Sequence, residues 1–283
     1  ILTRIPERRG ELVDILAEFA REQVDYIAID GGDGTVRDVL TCGAGPFGDR
    51  WPAVIVLPHG KTNALAHDLG IPVAWTLTDA LAAARSGNVA VRRPIVVTQR
   101  DDERARVHGF VLGGGAFTQA IGLGQNAHDV GAFDAAVVGL TAAWSVLQAL
   151  FGRAGNPWRR TTTMRIADAE GTELDHVGGA PIDERWLIFA STLQAFPAGL
   201  RPFGVARGRL RVAVVDNARR TLLARLPLIF FGRAGASTER MGYHNFGADS
   251  LDFDIGDRFI LDGEAFPAGN YRLKTGPKLN FVV

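Results

Sequence analysis

The sequence predicts an N-terminal α/β domain of the doubly wound type, followed by a mainly antiparallel β domain. First, an apolar run at 24–30 ends in a glycine turn and is followed by a helix pattern, as in parallel α/β units. Second, the same order of strand, glycine turn and helix returns at 53–69. Third, short apolar runs separated by Gly, Asn and Asp replace the helices from Val89 onward. We expect the α/β domain over 1–91, with the tail 276–283 able to rejoin it, and the β-rich domain over 92–275.

The composition is that of an ordinary globular protein and excludes some classes of partner. The 283 residues are 47% hydrophobic and 22% charged. The 31 basic and 31 acidic residues cancel, so no broad basic field indicates nucleic-acid binding. The single Cys42 excludes an internal disulfide and is compatible with a reducing, cytoplasmic location. The chain begins with Ile1 rather than Met, so we expect the numbering to start inside the natural protein.

In the first domain, helices and strands follow one another in the order αβαβαα. Apolar residues at helical spacing, turn residues and end signals define each element. The predicted elements are a helix from about Pro6 to Gln23, a strand at Val24–Asp30, a helix pattern at Val36–Leu40, a strand at Ala53–Leu57, and helices at Ala64–Leu69 and Ala74–Arg85.

The second domain is predicted to consist mainly of strands. They are expected at Val89–Val91, Ile95–Thr98, Val107–Leu112, Thr162–Ile166, Trp186–Ser191, Arg209–Val215, Asp252–Ile255 and Arg258–Leu261. Gly113-Gly114-Gly115 is expected to be a turn at the domain junction. Ala132–Phe151 is about long enough to span a bilayer, but its polar residues form one stripe, which indicates an amphipathic helix. Thr221–Phe231 is interpreted as a core strand, with a membrane contact as the alternative.

Two glycine turns are predicted to meet at the carboxyl edge of the first sheet. In Gly31-Gly32-Asp33-Gly34-Thr35, the glycines let backbone N–H groups approach a ligand, and the following helix adds its positive dipole end. Asp33 is interpreted as a group for a metal or a proton, with a cap on the helix that directly follows as the alternative. The second turn, Pro58-His59-Gly60-Lys61-Thr62-Asn63, is not a P-loop, because position 55 is Ile. Two such turns side by side predict a nucleotide crevice.

A third motif lies near the end of the chain. Asp262-Gly263-Glu264 places two carboxylates around a glycine, directly after a strand. Asp-Gly is also a common hairpin turn, so this motif by itself does not separate a functional role from a structural one.

The order of these pieces resembles the diacylglycerol kinase, sphingosine kinase and ceramide kinase family of lipid kinases. Gly208-Arg209-Leu210-Arg211-Val212 is similar to the family's Gly-x-Leu-x-Val strand. The resemblance implies roles for the three motifs and for one early residue. Phosphate binding is implied for Gly31, Gly32, Gly34, Thr35, Gly60, Lys61, Thr62 and Asn63, a nucleotide contact for Thr3, and a place at the reacting centre for Asp33, Asp262 and Glu264.

The resemblance further implies an ATP-dependent, Mg²⁺-dependent kinase that phosphorylates a primary hydroxyl of a membrane lipid. Either Asp33 or the Asp262/Glu264 pair would accept the proton, and the sequence does not decide between them. No residue is assigned as a metal ligand. The segment Asn63-Ala64-Leu65-Ala66 is more similar to the corresponding segment of sphingosine kinases than to that of bacterial diacylglycerol kinases. This similarity favours a ceramide or sphingoid base over diacylglycerol. The expected location is cytoplasmic and peripheral to a membrane, and a homodimer is left open.

Three departures from the family and two alternative functions stand beside this prediction. The family's first strand, with its Asn-Pro motif, is absent from the start of the chain, and Lys61-Thr62 replaces Thr-Gly or Ser-Gly. Arg207 stands where many members carry Asp. An NAD kinase shares the first glycine turn, but its Asn-Glu pair does not occur here. A catalytically inactive lipid-binding module is the other alternative, and the presence of all three carboxylates argues against it.

Overall fold

The protein is described by a computed structural model that covers residues 1–118, 159–177 and 181–283. Within these residues the helices are α1 Glu11–Arg21, α2 Asp33–Phe47, α3 Ala64–Asp68, α4 Leu77–Arg85, α5 Arg220–Leu223, α6 Leu226–Phe230 and α7 Ala236–Glu239. The strands are β1 Tyr26–Gly31, β2 Ala53–Pro58, β3 Val89–Arg92, β4 Ile95–Gln99, β5 Asp102–Gly109, β6 Val111–Gly115, β7 Thr162–Ala167, β8 Glu184–Arg185, β9 Leu187–Ser191, β10 Leu210–Val215, β11 Tyr243–Ala248, β12 Ser250–Ile255, β13 Phe259–Leu261, β14 Glu264–Phe266, β15 Gly269–Thr275 and β16 Leu279–Val282. The predicted helix at Ala132–Phe151 lies outside the described residues.

The first sheet has the order β1-β2-β16-β3, and its first three strands run parallel. Buried side chains of α1, α2 and α3 cover one face of this sheet. Ala80 and Ala84 of α4 cover the other face, where they pack with Ile55, Leu57 and Val282. Helices on both faces of a mostly parallel sheet are the arrangement of a doubly wound domain.

Two six-stranded antiparallel sheets form the second part of the molecule. Their strand orders are β11-β10-β9-β6-β13-β14 and β5-β4-β15-β12-β7-β8. The two sheets share one apolar core, to which Phe253, Phe259 and Leu273 contribute fully buried side chains. The fold class expected from the sequence, an α/β domain with a mainly antiparallel β domain, is confirmed.

Several predicted boundaries were wrong at the N-terminal end of the chain. Helix α1 begins at Glu11 rather than near Pro6, because residues 6–10 contain no apolar side chain that could be buried. Helix α2 continues to Phe47, well beyond Leu40. Gly43 of this helix makes room for the Trp51 ring, since a Cβ at that position would lie 2.6 Å from the ring.

The run Val107–Leu112 was predicted as one strand, but it belongs to two strands in different sheets. β5 ends at Gly109 and β6 begins at Val111. The chain bends at this point because the N–H groups of Phe110 and Val111 both donate to the Asp262 carboxylate. Gly113–Gly115 lies inside β6, so its interpretation as a turn was wrong.

The segment Thr221–Phe231 is helical, which contradicts the predicted core strand. It forms α5 and α6. Leu222, Leu226 and Ile229 are buried against the outer face of the sheet β11-β10-β9-β6-β13-β14, which we call the second sheet. Apolar residues at short helical spacing and at strand spacing are hard to separate in a run of this length.

Candidate active site

The two glycine turns pack directly against each other. A Cβ on Gly32 would lie 2.7 Å from the Cα of Gly60, a separation that side chains do not adopt. Gly60 is held from its other side by Asn63, whose Oδ1 accepts from the Gly60 N–H at 2.9 Å. Neither Gly32 nor Gly60 has a positive φ, so the backbone conformation does not explain why both positions are glycine. The glycines are therefore required by the approach of one backbone to another.

Asp33 links the first glycine turn to the helix that follows the second. Its carboxylate accepts from the backbone N–H of Ala64 at 2.9 Å and of Leu65 at 3.1 Å. These are the first residues of α3, where N–H groups lack partners within the helix. Asp33 thus caps a helix distant in sequence, a structural role that was not visible in the sequence.

Asp262 lies at the point where the second part of the molecule meets the first. Its oxygens accept from the Phe110 N–H at 2.9 Å and the Val111 N–H at 2.8 Å. Burial raises the pKa of Asp262 to about 7, and the negative charge of Asp33 adds to the rise against the opposing amide donors. Asp262 also has a positive φ of 45°, which Asp tolerates better than most residues. A carboxylic acid that titrates near neutral pH is a frequent property of functional sites.

Arg37 connects helix α2 to the turn Asp262-Gly263-Glu264, which we call the late acidic turn. It is only 5% exposed and donates to the carbonyl oxygens of Leu261 at 3.2 Å and Asp262 at 3.4 Å. It also forms an ion pair with Glu264, and its Nη2 lies 2.9 Å from Oδ1 of Asp38. Glu264 is therefore already paired with a buried cation.

The first glycine turn and the late acidic turn share one cavity of about 690 Å³. Its lining residues come from both parts of the chain: Gly34, Arg37, Thr118, Asp257, Arg258, Ile260, Asp262, Gly263, Glu264 and Ala265. A Cβ on Gly34 would lie 3.9 Å from the carbonyl oxygen of Asp262, so the two turns face each other closely. A volume of this size suits a small-molecule ligand.

Of the twelve predicted site residues, Gly34, Asp262 and Glu264 line this cavity and the other nine do not. Gly31 and Thr35 belong to the first turn, and Lys61 and Thr62 are exposed in the second. None of these four is a lining residue of the cavity. Thr3 is exposed in the irregular segment before α1 and does not line the cavity either.

Arg37 and Arg258 are site residues that the sequence analysis missed. For Arg37 a signal was present, because it follows Asp33 by four residues and therefore lies on the same face of the helix. For Arg258 there was none, since it precedes β13 in a stretch that looks like any exposed strand end.

Residues 3–93 match the family model of the diacylglycerol kinase catalytic domain. Over 88 residues the chain is 36% identical to the protein named "Probable lipid kinase YegS" of Escherichia coli O127:H6, which is 31% of this chain and 29% of that protein. Over 90 residues it is 38% identical to the diacylglycerol kinase of Bacillus subtilis strain 168, or 32% of this chain and 28% of the relative. The matched region thus spans under a third of these curated relatives.

A structural likeness extends over nearly the whole chain. The fold is similar to that of a diacylglycerol kinase from Bacillus anthracis str. Sterne, with a TM-score of 0.60 and 16% sequence identity. The match covers 98% of this chain and 83% of the solved structure. The resemblance inferred from the motifs is confirmed for the first 93 residues, and the fold is confirmed for both parts of the molecule.

Proposed function

Because residues 3–93 match a diacylglycerol kinase catalytic domain, we propose that this chain is an ATP-dependent lipid kinase. In this proposal the γ-phosphoryl group of ATP is transferred to a primary hydroxyl of a membrane lipid. The observation that carries the proposal is the shared cavity, in which a glycine turn at a helix N-terminus faces a carboxylic acid with a pKa of about 7.

The nucleotide phosphates are proposed to bind at the start of α2. This helix has 15 residues, and the N–H groups of its first turn lack partners within the helix, so together with the dipole they favour an anion. Gly34 of that turn lines the cavity, and a Cβ there would already be in van der Waals contact with Arg37 at 3.8 Å. Arg37 and Arg258 add positive charge to the same wall.

Mg²⁺ would neutralise charge on the β- and γ-phosphate oxygens during transfer. Among the described residues no group of three or more His, Cys, Asp or Glu side chains could hold a metal ion. Mg²⁺ often binds through substrate phosphates, water and one or two carboxylates, and the cavity wall offers the carboxylates of Asp257, Asp262 and Glu264 for that role.

Asp262 is proposed as the group that accepts the proton of the lipid hydroxyl. As the hydroxyl oxygen bonds to the γ-phosphorus, the bond between that phosphorus and the β–γ bridging oxygen breaks and ADP leaves. The hydroxyl proton passes to Asp262, whose pKa near 7 lets it be ionised at neutral pH and still hold a proton afterwards. Asp33 acts indirectly in this scheme, by holding α3 and by raising the pKa of Asp262.

The lipid acceptor is proposed to be diacylglycerol, a ceramide or a sphingoid base. The names of the relatives favour diacylglycerol, whereas the residues after Gly60 favour the sphingoid class. A membrane-resident acceptor implies transient binding to a bilayer surface. In the described ranges, no helix has the length and apolar character needed to cross a membrane.

Phosphoryl transfer from labelled ATP in the presence of Mg²⁺ tests the proposal. The acceptors are diacylglycerol, ceramide and sphingosine in mixed micelles, and NAD in a separate reaction. We expect label in one lipid class, with none in NAD. Label in NAD alone would identify an NAD kinase, and label in no acceptor despite lipid binding would identify an inactive lipid-binding module.

A further inference from the structure

Five large apolar side chains are exposed together on one side of the second sheet. They are Leu200, Val205, Leu228, Phe230 and Phe231, which we call the docking face. Val205 is 82% exposed and Phe231 is 60% exposed. Clusters of this kind commonly mark an interaction surface.

Backbone contacts show that the docking face is a single surface. The Arg201 N–H donates to the carbonyl oxygen of Phe230 at 2.6 Å. A Cβ on Gly204 would lie 3.7 Å from the carbonyl oxygen of Gly232, which brings the loop that carries Val205 against the end of α6. The loop at 200–205 and the turn at 228–233 therefore lie side by side.

The exposed residues are additional to those that anchor this region to the fold. Phe203, Leu226 and Ile229 are buried in the core cluster on the outer face of the second sheet. The neighbouring positions Leu228, Phe230 and Phe231 are 49%, 38% and 60% exposed. Their exposed apolar surface is therefore available to a partner.

Arginines are frequent in the segment that carries the docking face. Residues 197–240 contain nine arginines, no lysine and only Asp216 and Glu239 as acidic residues. Six of the nine arginines are exposed, among them Arg201 and Arg233 beside the apolar side chains. Asp216 is fully buried in an ion pair with Arg185, so it does not offset this surface charge. The segment thus has a surplus of seven basic residues in a chain whose total formal charge is zero.

A row of aromatic rings connects the docking face with the cavity. Thr118 lines the cavity, and its neighbour Phe117 lies 5.4 Å from Phe189 between ring centroids. Phe189 stacks on Phe203 at 5.3 Å, and Phe203 belongs to the loop that carries Leu200 and Val205. Packed rings thus link the loop at 200–205 to the residue next to Thr118 in the cavity wall.

We propose that the docking face, with the arginines around it, binds the surface of a bilayer that contains anionic lipids. Apolar side chains that insert at the headgroup boundary and arginines that contact lipid phosphates are the two elements of such binding. A second copy of the chain fits less well, because a twofold contact would place this positive surface against itself. The proposal rests on the lipid-kinase function only for the reason why the protein approaches a membrane.

Vesicle flotation without ATP tests this proposal separately from the kinase activity. The vesicles contain phosphatidylcholine alone, or phosphatidylcholine with about one third phosphatidylglycerol. We expect the protein to float with the anionic vesicles only, and to be released when NaCl is raised from about 0.1 to about 0.5 M. Both Phe230→Ser/Phe231→Ser and Arg201→Ser/Arg233→Ser should weaken binding by about tenfold or more.

Matched variants elsewhere on the surface control for general effects. Val73→Ser/Val91→Ser removes exposed apolar side chains, and Arg50→Ser/Arg104→Ser removes exposed arginines, in both cases outside the docking face. Both should float like the wild type, and circular dichroism should show that all four variants are folded. Wild-type binding by the Phe230/Phe231 variant would overturn the proposal.

Two further outcomes separate this inference from the proposed function. Phosphoryl transfer to a micellar lipid without any vesicle binding would refute the docking face and leave the kinase intact. Vesicle binding without transfer to any acceptor would support the docking face and refute the proposed kinase activity. A dimer in sedimentation velocity that Phe230→Ser/Phe231→Ser dissociates would reassign the docking face to self-association.

Discussion

Among single residues, Asp262 carries the proposed chemistry, and its pH dependence can be predicted. Its pKa is raised to about 7, chiefly by burial, so the carboxylate able to accept a proton becomes populated as the pH rises through 7. We expect kcat to increase over that range. Asp262→Asn should lower kcat by about 10² to 10⁴-fold and abolish this rising limb, measured as initial rates between about pH 5.5 and 9.

A rising limb near pH 7 that persists in Asp262→Asn would assign the titration to another group. Because the Asn side chain replaces one acceptor with a donor, one of the two backbone bonds is lost. Thermal melts of the variant are therefore needed to show that the measured protein is folded.

Asp33 is expected to act on the same titration without touching the reacting atoms. Its negative charge raises the pKa of Asp262, so Asp33→Asn should lower that pKa and move the rising limb of the pH–kcat profile to more acid pH. The variant also loses part of the cap on α3, which costs about 1 kcal/mol of unfolding free energy.

A direct proton acceptor behaves differently from a positioning residue in this experiment. If Asp33 were the base, Asp33→Asn would remove the rising limb instead of shifting it. Comparing the profiles of Asp33→Asn and Asp262→Asn thus decides the alternative that the sequence left open.

Among the structural elements, the contact between the two glycine turns tolerates no side chain. A Cβ on Gly60 would collide with the Cα of Gly32 and lie 2.8 Å from Oδ1 of Asn63. We expect Gly60→Ala to lower the unfolding free energy by about 1–3 kcal/mol, as overpacking does, and to weaken nucleotide binding. Urea unfolding and isothermal titration with ATP measure the two effects.

Gly45→Ala is the matched control for this prediction. Gly45 lies in the exposed part of α2, with nothing within 4 Å of the added Cβ. Alanine there should stabilise the protein by about 0.5–1 kcal/mol, because glycine is unfavourable inside a helix. Equal effects of the two substitutions would mean that contact between the turns is not the cause.

The attachment of α2 to the β13–β14 hairpin depends on Arg37. Arg37→Met keeps the apolar length of the side chain but leaves Glu264 and two carbonyl oxygens without their donor. We expect a loss of about 3 kcal/mol in unfolding free energy, at the low end for a buried pair because Glu264 is partly exposed. The exposed Arg50→Met serves as the control, with a change below about 0.5 kcal/mol in urea unfolding.

At the scale of the whole molecule, Asp68 joins the α/β part of the chain to the part that contains the two antiparallel sheets. The carboxylate at the end of α3 is fully buried and accepts from Arg92 Nε at 2.5 Å. Its other oxygen accepts from the N–H groups of Gln194 and Ala195, both at 2.6 Å, in the loop after β9. Asp68 thus adds a second charged link between the two parts of the chain, beside that of Arg37 with Glu264.

Asp68→Asn should destabilise the protein by about 3–5 kcal/mol, because Arg92 is left buried without its counter-charge. Urea unfolding measures the loss, and the exposed Asp49→Asn is the control. A change below about 1 kcal/mol would show that Arg92 reaches water when its partner is removed.

The sequence alone determined the two-part fold and the places where the two glycine turns and the late acidic turn occur. Strand and helix periodicity and glycine clusters are local properties, so they can be read without knowing what lies nearby in space. For the same reason the motif around Asp33 was recognised, while its bonds to Ala64 and Leu65 were not.

Only the tertiary structure decided what each of these groups contacts. The raised pKa of Asp262 depends on burial and on Asp33, which is 229 residues away in the sequence. The engagement of Glu264 by Arg37 and the split of one apolar run between two sheets at Phe110 likewise depend on distant partners. The charge of residues 197–240 was present in the sequence, but its exposure beside Phe231 follows from which face of α6 is buried.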